Sequence, residues 1–138
     1  MKHQRNNIIR VAAAAVAALM AALLAACGAS SKPSYRQITA DEAAQMMQEE
    51  TDFVLLDVRT QEEYASGHIP GAICIPNETI GSEEIPELPD KDQLILVYCR
   101  SGNRSKQASQ KLAEQDYTNV VEFGGINGWT GETVSGEA

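Results

Sequence analysis

Cys99 is the residue of this 138-residue chain whose surroundings most clearly indicate chemistry. It follows an apolar run over residues 94–98 and precedes a predicted helix. A strand, a glycine-containing turn and a helix N terminus bring several backbone N–H groups to one place, where they stabilise an anion. The loop that supplies these groups consists of Cys99, Arg100, Ser101, Gly102, Asn103, Arg104 and Ser105. The pattern therefore predicts an anion-binding loop.

The first anion that this loop is expected to stabilise is the Cys99 thiolate. A free thiol has a pKa of about 8.5, and helix N termini and nearby cations lower it. Arg100 and Arg104 supply two cations in a chain of net charge −8. The alternative is an inert cysteine buried at a strand end. The arginines, the glycine and the helix start favour a thiolate nucleophile, with residues 100–105 binding an anionic substrate.

Short apolar strands alternate with helices along the chain. Strands are predicted over residues 35–38, 53–58, 72–75, 94–98 and 120–123. Capping boxes at Thr39–Glu42 and Thr60–Glu63 predict helices over residues 40–49 and through residue 65, and a further helix covers residues 104–115. A short helix and a loop are expected over residues 77–90. The alternation predicts an α/β fold with a parallel sheet, whose ligands bind at the carboxyl ends of the strands.

Four segments of the sequence resemble the rhodanese (thiosulfate sulfurtransferase) family, in order and at matching spacing. They are LLDVR over residues 55–59 with EEY over 62–64, GHIPGA over 67–72, YCRSGNRS over 98–105 and GGINGW over 124–129. The resemblance covers about residues 35–134 and implies a rhodanese-like five-stranded parallel sheet in the order 1-5-4-2-3, flanked by helices.

The resemblance also implies a double-displacement reaction. Cys99 takes the outer sulfur of thiosulfate or a persulfide as a Cys99 persulfide, and then passes it to cyanide or a thiol. The expected partners are a small anionic sulfur donor and a thiol acceptor. Neither a cofactor nor a metal is expected, because the cysteines and histidines do not form a ligand cluster.

Loop length distinguishes sulfur transfer from phosphoryl transfer. Phosphatases and arsenate reductases of the same fold resemble Cys-x5-Arg, whereas four residues separate Cys99 from Arg104. In the family, the smaller ring of N–H groups accompanies sulfur transfer. The sequence therefore favours a sulfurtransferase over a phosphatase.

Four other motif residues are expected to have structural roles. Asp57 is expected to accept hydrogen bonds from a loop or to orient a neighbouring arginine, although a functional role stays open. His68 is expected to bond the backbone and Trp129 to cover the core. Cys74 is expected to be a buried thiol. The implied sheet order separates it from the loop cysteine, so no disulfide between them is expected.

The N-terminal segment predicts an exported lipoprotein. Three basic residues precede an apolar run over residues 11–26, which is short for a spanning helix. The run ends in LAAC, which resembles the lipobox of bacterial lipoproteins and implies acylation of Cys27. We predict a signal peptide over residues 1–26, a lipidated Cys27 with a flexible tether over residues 27–34, and a domain over residues 35–138. An ordinary signal peptide and an uncleaved anchor are the alternatives.

The lipid-anchored protein is expected in the cell envelope, attached to the bilayer on the extracytoplasmic side. Cleavage after residue 26 removes three basic residues and no acidic residue, so the net charge of −8 becomes −11. Such an acidic protein is not expected to bind nucleic acid.

Three functions are consistent with a sequence of this kind. The first is an enzyme that transfers sulfur through Cys99. The second is a membrane-anchored persulfide or redox carrier that acts with a partner protein as sulfur acceptor. The third is a non-catalytic interaction module, which the complete cysteine loop argues against.

Overall fold

The computed structural model describes residues 32–137. The predicted signal peptide, Cys27 and most of the predicted tether lie outside the described residues. Among residues 32–137, none of the helices is sufficiently long and apolar to cross a bilayer.

Five parallel strands form one sheet in the order β1-β5-β4-β2-β3. Their bounds are β1 Arg36–Gln37, β2 Phe53–Asp57, β3 Ile73–Cys74, β4 Leu94–Cys99 and β5 Val120–Gly125. The helices are α1 Ala40–Glu49, α2 Gln61–Ser66 and α3 Asn103–Glu114, with 3₁₀ turns at Asn77–Thr79 and Ile126–Gly128. The predicted α/β fold and the order of its strands are confirmed.

Both predicted capping boxes are present and set the starts of α1 and α2. The Thr39 hydroxyl accepts the Glu42 N–H, and the Glu42 carboxylate accepts the Thr39 N–H at 2.7 Å. Thr60 and Glu63 make the same reciprocal pair at the start of α2. Such pairs satisfy N–H groups that the first turn of a helix cannot satisfy itself. They also fix where the chain leaves β1 and β2.

The sheet is covered on both faces, which explains its apolar central strand. Successive residues of a strand point to opposite faces, so β4 contributes Val97 and Cys99 to one cluster and Leu96 and Tyr98 to the other. The first cluster includes Leu112 of α3, and the second includes residues of α1 and α2. Cys99 therefore lies on the α3 face, at the carboxyl end of the most buried strand.

The edges of the sheet differ from the sequence-based predictions. The strands β1 and β3 have only two residues each, and β3 pairs with β2 alone. Cys74 was expected to be buried but is half-buried, because this edge strand lacks a neighbour on its outer side. In the region 77–90 only the Asn77–Thr79 turn is helical, and Gly81, Pro86 and Pro89 interrupt the segment that follows.

Candidate active site

The loop after β4 concentrates backbone donors around one sulfur atom. Cys99 ends β4 with 1% of its surface exposed, and Gly102 adopts φ +107, a left-handed conformation that favours glycine. The turn brings the Gly102 N–H to 3.0 Å from Cys99 Sγ. Gly102 is also the N-cap of α3 and carries no capping side chain, so the first N–H groups of the helix remain available to the loop.

Hydrogen bonds lower the pKa of Cys99 despite its burial. Burial alone raises the pKa of a thiol, because it disfavours the charged form. Here the Ser105 hydroxyl and the backbone N–H groups of Ser105, Gly102 and Ser101 outweigh burial, and the net shift is downward. The sequence predicted this direction. Hydrogen bonds cause the shift, whereas the sequence pattern had also predicted a share for the flanking arginines.

Close contact with the end of β5 holds this loop in place. The Asn127 N–H donates to the Arg100 carbonyl at 3.2 Å. A Cβ atom on Gly125 would overlap that carbonyl and would lie 2.6 Å from the Ser101 nitrogen. Only glycine fits at this position, because real Cβ atoms do not approach backbone so closely. The GGINGW segment thus supports the cysteine loop from a distant part of the sequence.

The two loop arginines have different surroundings. Arg104 donates to both carboxylate oxygens of Glu63, at 2.7 and 2.9 Å, and so joins the start of α3 to α2. The hydrogen bonds from Arg104 lower the pKa of Glu63 to about 2. Arg100 is exposed and lines two clefts beside the loop. Arg100 is therefore the loop arginine that can approach a ligand without first leaving an ion pair.

Behind the loop, Ser105 connects Cys99 to a buried carboxyl group. The Ser105 oxygen is 3.4 Å from Cys99 Sγ and 2.5 Å from Glu122 Oε1. Ser105 is fully buried and Glu122 is 2% exposed. Glu122 was not among the site residues predicted from the sequence. The sequence feature that could have identified it is an acidic residue inside the otherwise apolar segment VVEF, at a position where a strand side chain was expected to be buried.

The residues predicted to be structural make the expected kinds of contact. Asp57 binds Arg59 in a buried ion pair at 2.7 Å, which orients the arginine towards the Gly67 carbonyl. His68 Nδ1 lies 2.8 Å from the Tyr64 carbonyl oxygen. Trp129 packs against the cluster on the α1 face. The contacts of Arg59 and His68 join residues within the segment between β2 and β3, and Arg59 and Gly67 line a cleft with Arg100 of the loop.

Cys74 lies apart from the loop. β2 separates β3 from β4, as the implied sheet order predicts, and both thiols are free. Cys74 Sγ is 3.5 Å from the Arg59 carbonyl oxygen. Burial, with the Asp57 carboxylate adding to it, raises the pKa of Cys74 to about 11. Among residues 32–137, no three His, Cys, Asp or Glu side chains are grouped as metal ligands.

Known proteins share this fold. The Rhodanese-like domain family matches residues 39–132. The chain is similar to the thiosulfate sulfurtransferase PspE of Escherichia coli, with 39% identity over 71 residues, which cover 51% of this chain and 68% of that protein. A sulfurtransferase of Allochromatium vinosum is 38% identical over 94 residues, 67% of this chain and 86% of that protein.

A solved structure described as a rhodanese with anions from E. coli aligns with a TM-score of 0.56 and 36% identity. The alignment covers 60% of this chain and 98% of that chain. The matched residues include every strand except β1, as well as the whole cysteine loop. The chain belongs to the rhodanese-like domain family.

Proposed function

We propose that this protein is a rhodanese-type sulfurtransferase that moves sulfane sulfur from thiosulfate or a persulfide to a thiol or cyanide through a Cys99 persulfide. One observation carries the proposal: Cys99 is almost fully buried, yet the N–H groups of residues 101, 102 and 105 and the Ser105 hydroxyl lower its pKa. A thiolate is the form of cysteine that attacks sulfur. The similarity to the two sulfurtransferases supports the same chemistry.

In the first half of the reaction, the Cys99 thiolate attacks the outer sulfur of thiosulfate. The new bond joins Cys99 Sγ to that sulfur, the S–S bond of thiosulfate breaks, and its electron pair leaves with sulfite. The cysteine becomes a persulfide anion. The protein therefore carries the same charge before and after this step. The backbone N–H groups of the loop, which point at Cys99, stabilise this anion without reorganising during the reaction.

In the second half, a thiolate acceptor attacks the outer sulfur of the Cys99 persulfide. The persulfide bond breaks and its electron pair returns to Cys99, which regenerates the thiolate. Residues 100–105 bind the donor in this scheme, with the exposed Arg100 as the cationic group that meets the incoming anion. A local cation of this kind is needed because the chain as a whole carries a net charge of −8, which repels anions.

Sulfane sulfur bound to the protein after thiosulfate treatment tests the proposal. The protein is incubated with thiosulfate, desalted and assayed for cyanide-reactive sulfur and for the added mass of one sulfur atom. The wild type and the Cys74→Ser variant should both carry the sulfur, and Cys99→Ser should carry none. Equal labelling of the wild type and Cys99→Ser would contradict the proposal. Cys74→Ser is the matched control, because it removes the other thiol of the domain.

The same proposal includes a lipid anchor at Cys27, supported by the sequence pattern of residues 1–27 alone. Mass spectrometry of the mature protein purified from membranes tests it. A diacylated N-terminal Cys27 is the expected result. The Cys27→Ser variant should lose both the acyl chains and the association with the membrane. An unmodified Cys27 in the mature protein would contradict the anchor and leave the proposed sulfur transfer unaffected.

A further inference from the structure

Arg59 is a buried cation that the reaction scheme above does not use. It is 5% exposed. Its Nε–H donates to Asp57, and its Nη2 atom donates to Asp57 and to the Gly67 carbonyl oxygen. The Nη1 atom, which carries the remaining two hydrogens of the guanidinium group, makes no hydrogen bond within residues 32–137. Because buried polar groups are nearly always hydrogen-bonded, this free end of Arg59 points to a ligand.

The Nη1 atom of Arg59 opens into a cleft beside the cysteine loop. Among residues 32–137, Ser109 Oγ is the one fully buried side-chain nitrogen or oxygen without a partner, so Nη1 reaches solvent. Arg59 lines a cleft of about 420 Å³ with residues of α2, the cysteine loop, the turn after β5 and the C-terminal segment. Of the described residues that line this cleft, Arg59 alone is buried, and it therefore forms the floor.

The charges around this cleft favour an anion. Arg59 is paired with Asp57. Glu63, the acidic residue of the cleft, is paired with Arg104. Arg100 is exposed and has no ion pair within residues 32–137. An anionic group that enters the cleft therefore meets two guanidinium groups, one fixed at the floor and one free at the rim.

The cleft begins beside the nucleophile and is larger than thiosulfate requires. Arg100 follows Cys99 in the loop, and its carbonyl oxygen accepts the Asn127 N–H at 3.2 Å, so the loop and the turn after β5 form adjoining walls. Clefts of roughly 300–1,000 Å³ hold organic molecules, and this cleft falls in that range. An organic thiol whose sulfur reaches Cys99 therefore has room to extend over Arg59.

A carboxylate is the anionic group that fits these donors, because guanidinium N–H groups form charge-assisted hydrogen bonds with carboxylates. Sulfite leaves before the acceptor enters, so Arg100 is available again in the second half of the reaction. We propose that Arg59 is a specificity-determining residue whose Nη1 hydrogens bind, together with Arg100, the carboxylate of a small organic thiol that accepts sulfur from Cys99. This inference rests on the proposed function and names the class of its acceptor.

The other cleft that Arg100 lines has no comparable floor. Among the described residues around it, the buried one is the apolar Phe123, and the acidic Asp41 also lines it. A carboxylate in that cleft would meet a like charge and a single exposed cation. The geometry therefore favours the Arg59 cleft for the acceptor.

The transfer step leaves the carboxylate unchanged. The acceptor enters as a thiolate and attacks the outer sulfur of the Cys99 persulfide. A new S–S bond forms in the acceptor, the persulfide bond of the protein breaks, and its electron pair returns to Cys99. The product leaves as the persulfide of the carboxylate-bearing thiol.

A pair of matched thiols tests the proposal. Full-length protein in detergent is loaded with thiosulfate, desalted and mixed with N-acetylcysteine or with its amide, which lacks the carboxylate charge. The ratio of the two second-order rate constants measures the preference for the acid. Arg59→Lys keeps a cation for Asp57 but removes the Nη1 hydrogens, so this ratio should fall about tenfold, a usual effect for hydrogen bonds to a charged group. Equal ratios in the wild type and Arg59→Lys would overturn the proposal.

Two further variants separate the cleft from the general charge of the protein. Arg100→Gln should also lower the ratio, because it removes the cation at the rim. Lys106→Gln removes the same charge from an exposed residue of α3 that lines neither cleft, and it should leave the ratio as in the wild type. Equal losses in Arg100→Gln and Lys106→Gln would overturn the role of the cleft.

A binding measurement on the wild type needs neither a substitution nor sulfur transfer. N-Acetylalanine has the carboxylate of N-acetylcysteine but no thiol, and N-acetylalanine amide lacks the charge as well. In NMR titrations, the acid should shift the backbone amide resonances of Gly67 and Asn127, and the amide should leave them in place. Equal shifts with both compounds, or none with the acid, would overturn the proposal. Failure to load sulfane sulfur on Cys99 would contradict the proposed function instead, and this titration would still test the cleft.

Discussion

Cys74 and Cys99 end two strands of the same parallel sheet, on either side of β2. Cys74 is half-buried and its pKa is raised to about 11, chiefly by that burial. Cys99 is 1% exposed, and burial raises its pKa as well, yet hydrogen bonds to the sulfur bring the net value below the ordinary range. The more deeply buried thiol is therefore the more acidic one.

The difference between the two thiols lies in the groups that face each sulfur. Cys74 Sγ meets the Arg59 carbonyl oxygen, which can only accept a hydrogen bond, and the Asp57 carboxylate adds a like charge nearby. Cys99 Sγ meets backbone N–H groups from a glycine turn and a helix start. A carbonyl favours the S–H form, whereas N–H donors favour the thiolate. Local backbone geometry thus decides the reactivity of a cysteine here, and burial alone does not.

The largest expected effect is the difference in apparent pKa between the Cys74 and Cys99 thiols in solution. Alkylation of each cysteine in the wild type, followed across pH by peptide mass spectrometry, should give apparent pKa values more than two units apart, with Cys99 the lower. Two units correspond to about a hundredfold difference in thiolate population. In denaturant the two profiles should coincide near a pKa of about 8.5. Apparent pKa values within one unit of each other in the folded protein would contradict the expected difference between the two thiols.

Local sequence patterns were sufficient to predict the Cys99 side of this comparison. The loop from Cys99 to Ser105 is contiguous, and a strand, a turn and a helix start determine its geometry. The capping boxes of α1 and α2 are equally local. The resemblance to the rhodanese family was needed to predict the strand order. The sequence pattern predicted parallel strands but did not determine which strands pair with each other.

The contacts that were not predicted from the sequence join distant residues. Glu122 reaches Ser105 across 17 positions, and Glu63 reaches Arg104 across 41. Each depends on how β5 or α2 lies beside the loop, which no local pattern determines. The surroundings of Cys74 were missed for a related reason, because its exposure depends on β3 being a two-residue edge strand.

The next largest effect is expected for Gly125→Ala, which should make Cys99 more like Cys74. The added Cβ overlaps the Arg100 carbonyl, so the loop must move and its N–H groups must leave the sulfur. We expect the apparent pKa of Cys99 to rise and sulfur transfer to fall by about tenfold to a hundredfold, since small displacements of reacting groups have effects of this size. Alkylation profiles and steady-state transfer rates measure the two changes.

Gly128→Ala is the matched control for this substitution. A Cβ atom at Gly128 meets no atom within 4 Å, although the residue lies in the same glycine-rich segment. It should leave both the Cys99 profile and the transfer rate close to those of the wild type. Loss of transfer in Gly125→Ala with an unchanged Cys99 profile would show that the N–H groups do not set the acidity of Cys99.

The smallest effect is expected for Glu63→Gln, which removes the ion pair beside the loop. Both side chains of this pair are 27% exposed, and exposed pairs contribute about 0.2–1 kcal/mol. The pKa of Glu63 is lowered to about 2 by its hydrogen bonds with Arg104, so the carboxylate stabilises the fold above its unfolded pKa. This contribution should be lost as pH falls from about 4.5 towards 2. Urea unfolding of the wild type and Glu63→Gln should therefore differ at neutral pH and converge near pH 2.

Glu42→Gln provides the control, because Glu42 occupies the same capping position in α1, where its pKa is lowered by Thr39. Glutamine can serve in both capping boxes, so the difference between the two variants isolates the contribution of Arg104. The alkylation profile of Cys99 should stay nearly unchanged in Glu63→Gln, because hydrogen bonds to the sulfur set its acidity while Arg104 acts at a distance. A shift of a full pH unit would mean that the anchored charge of Arg104 contributes as much to the acidity of Cys99 as the N–H groups do.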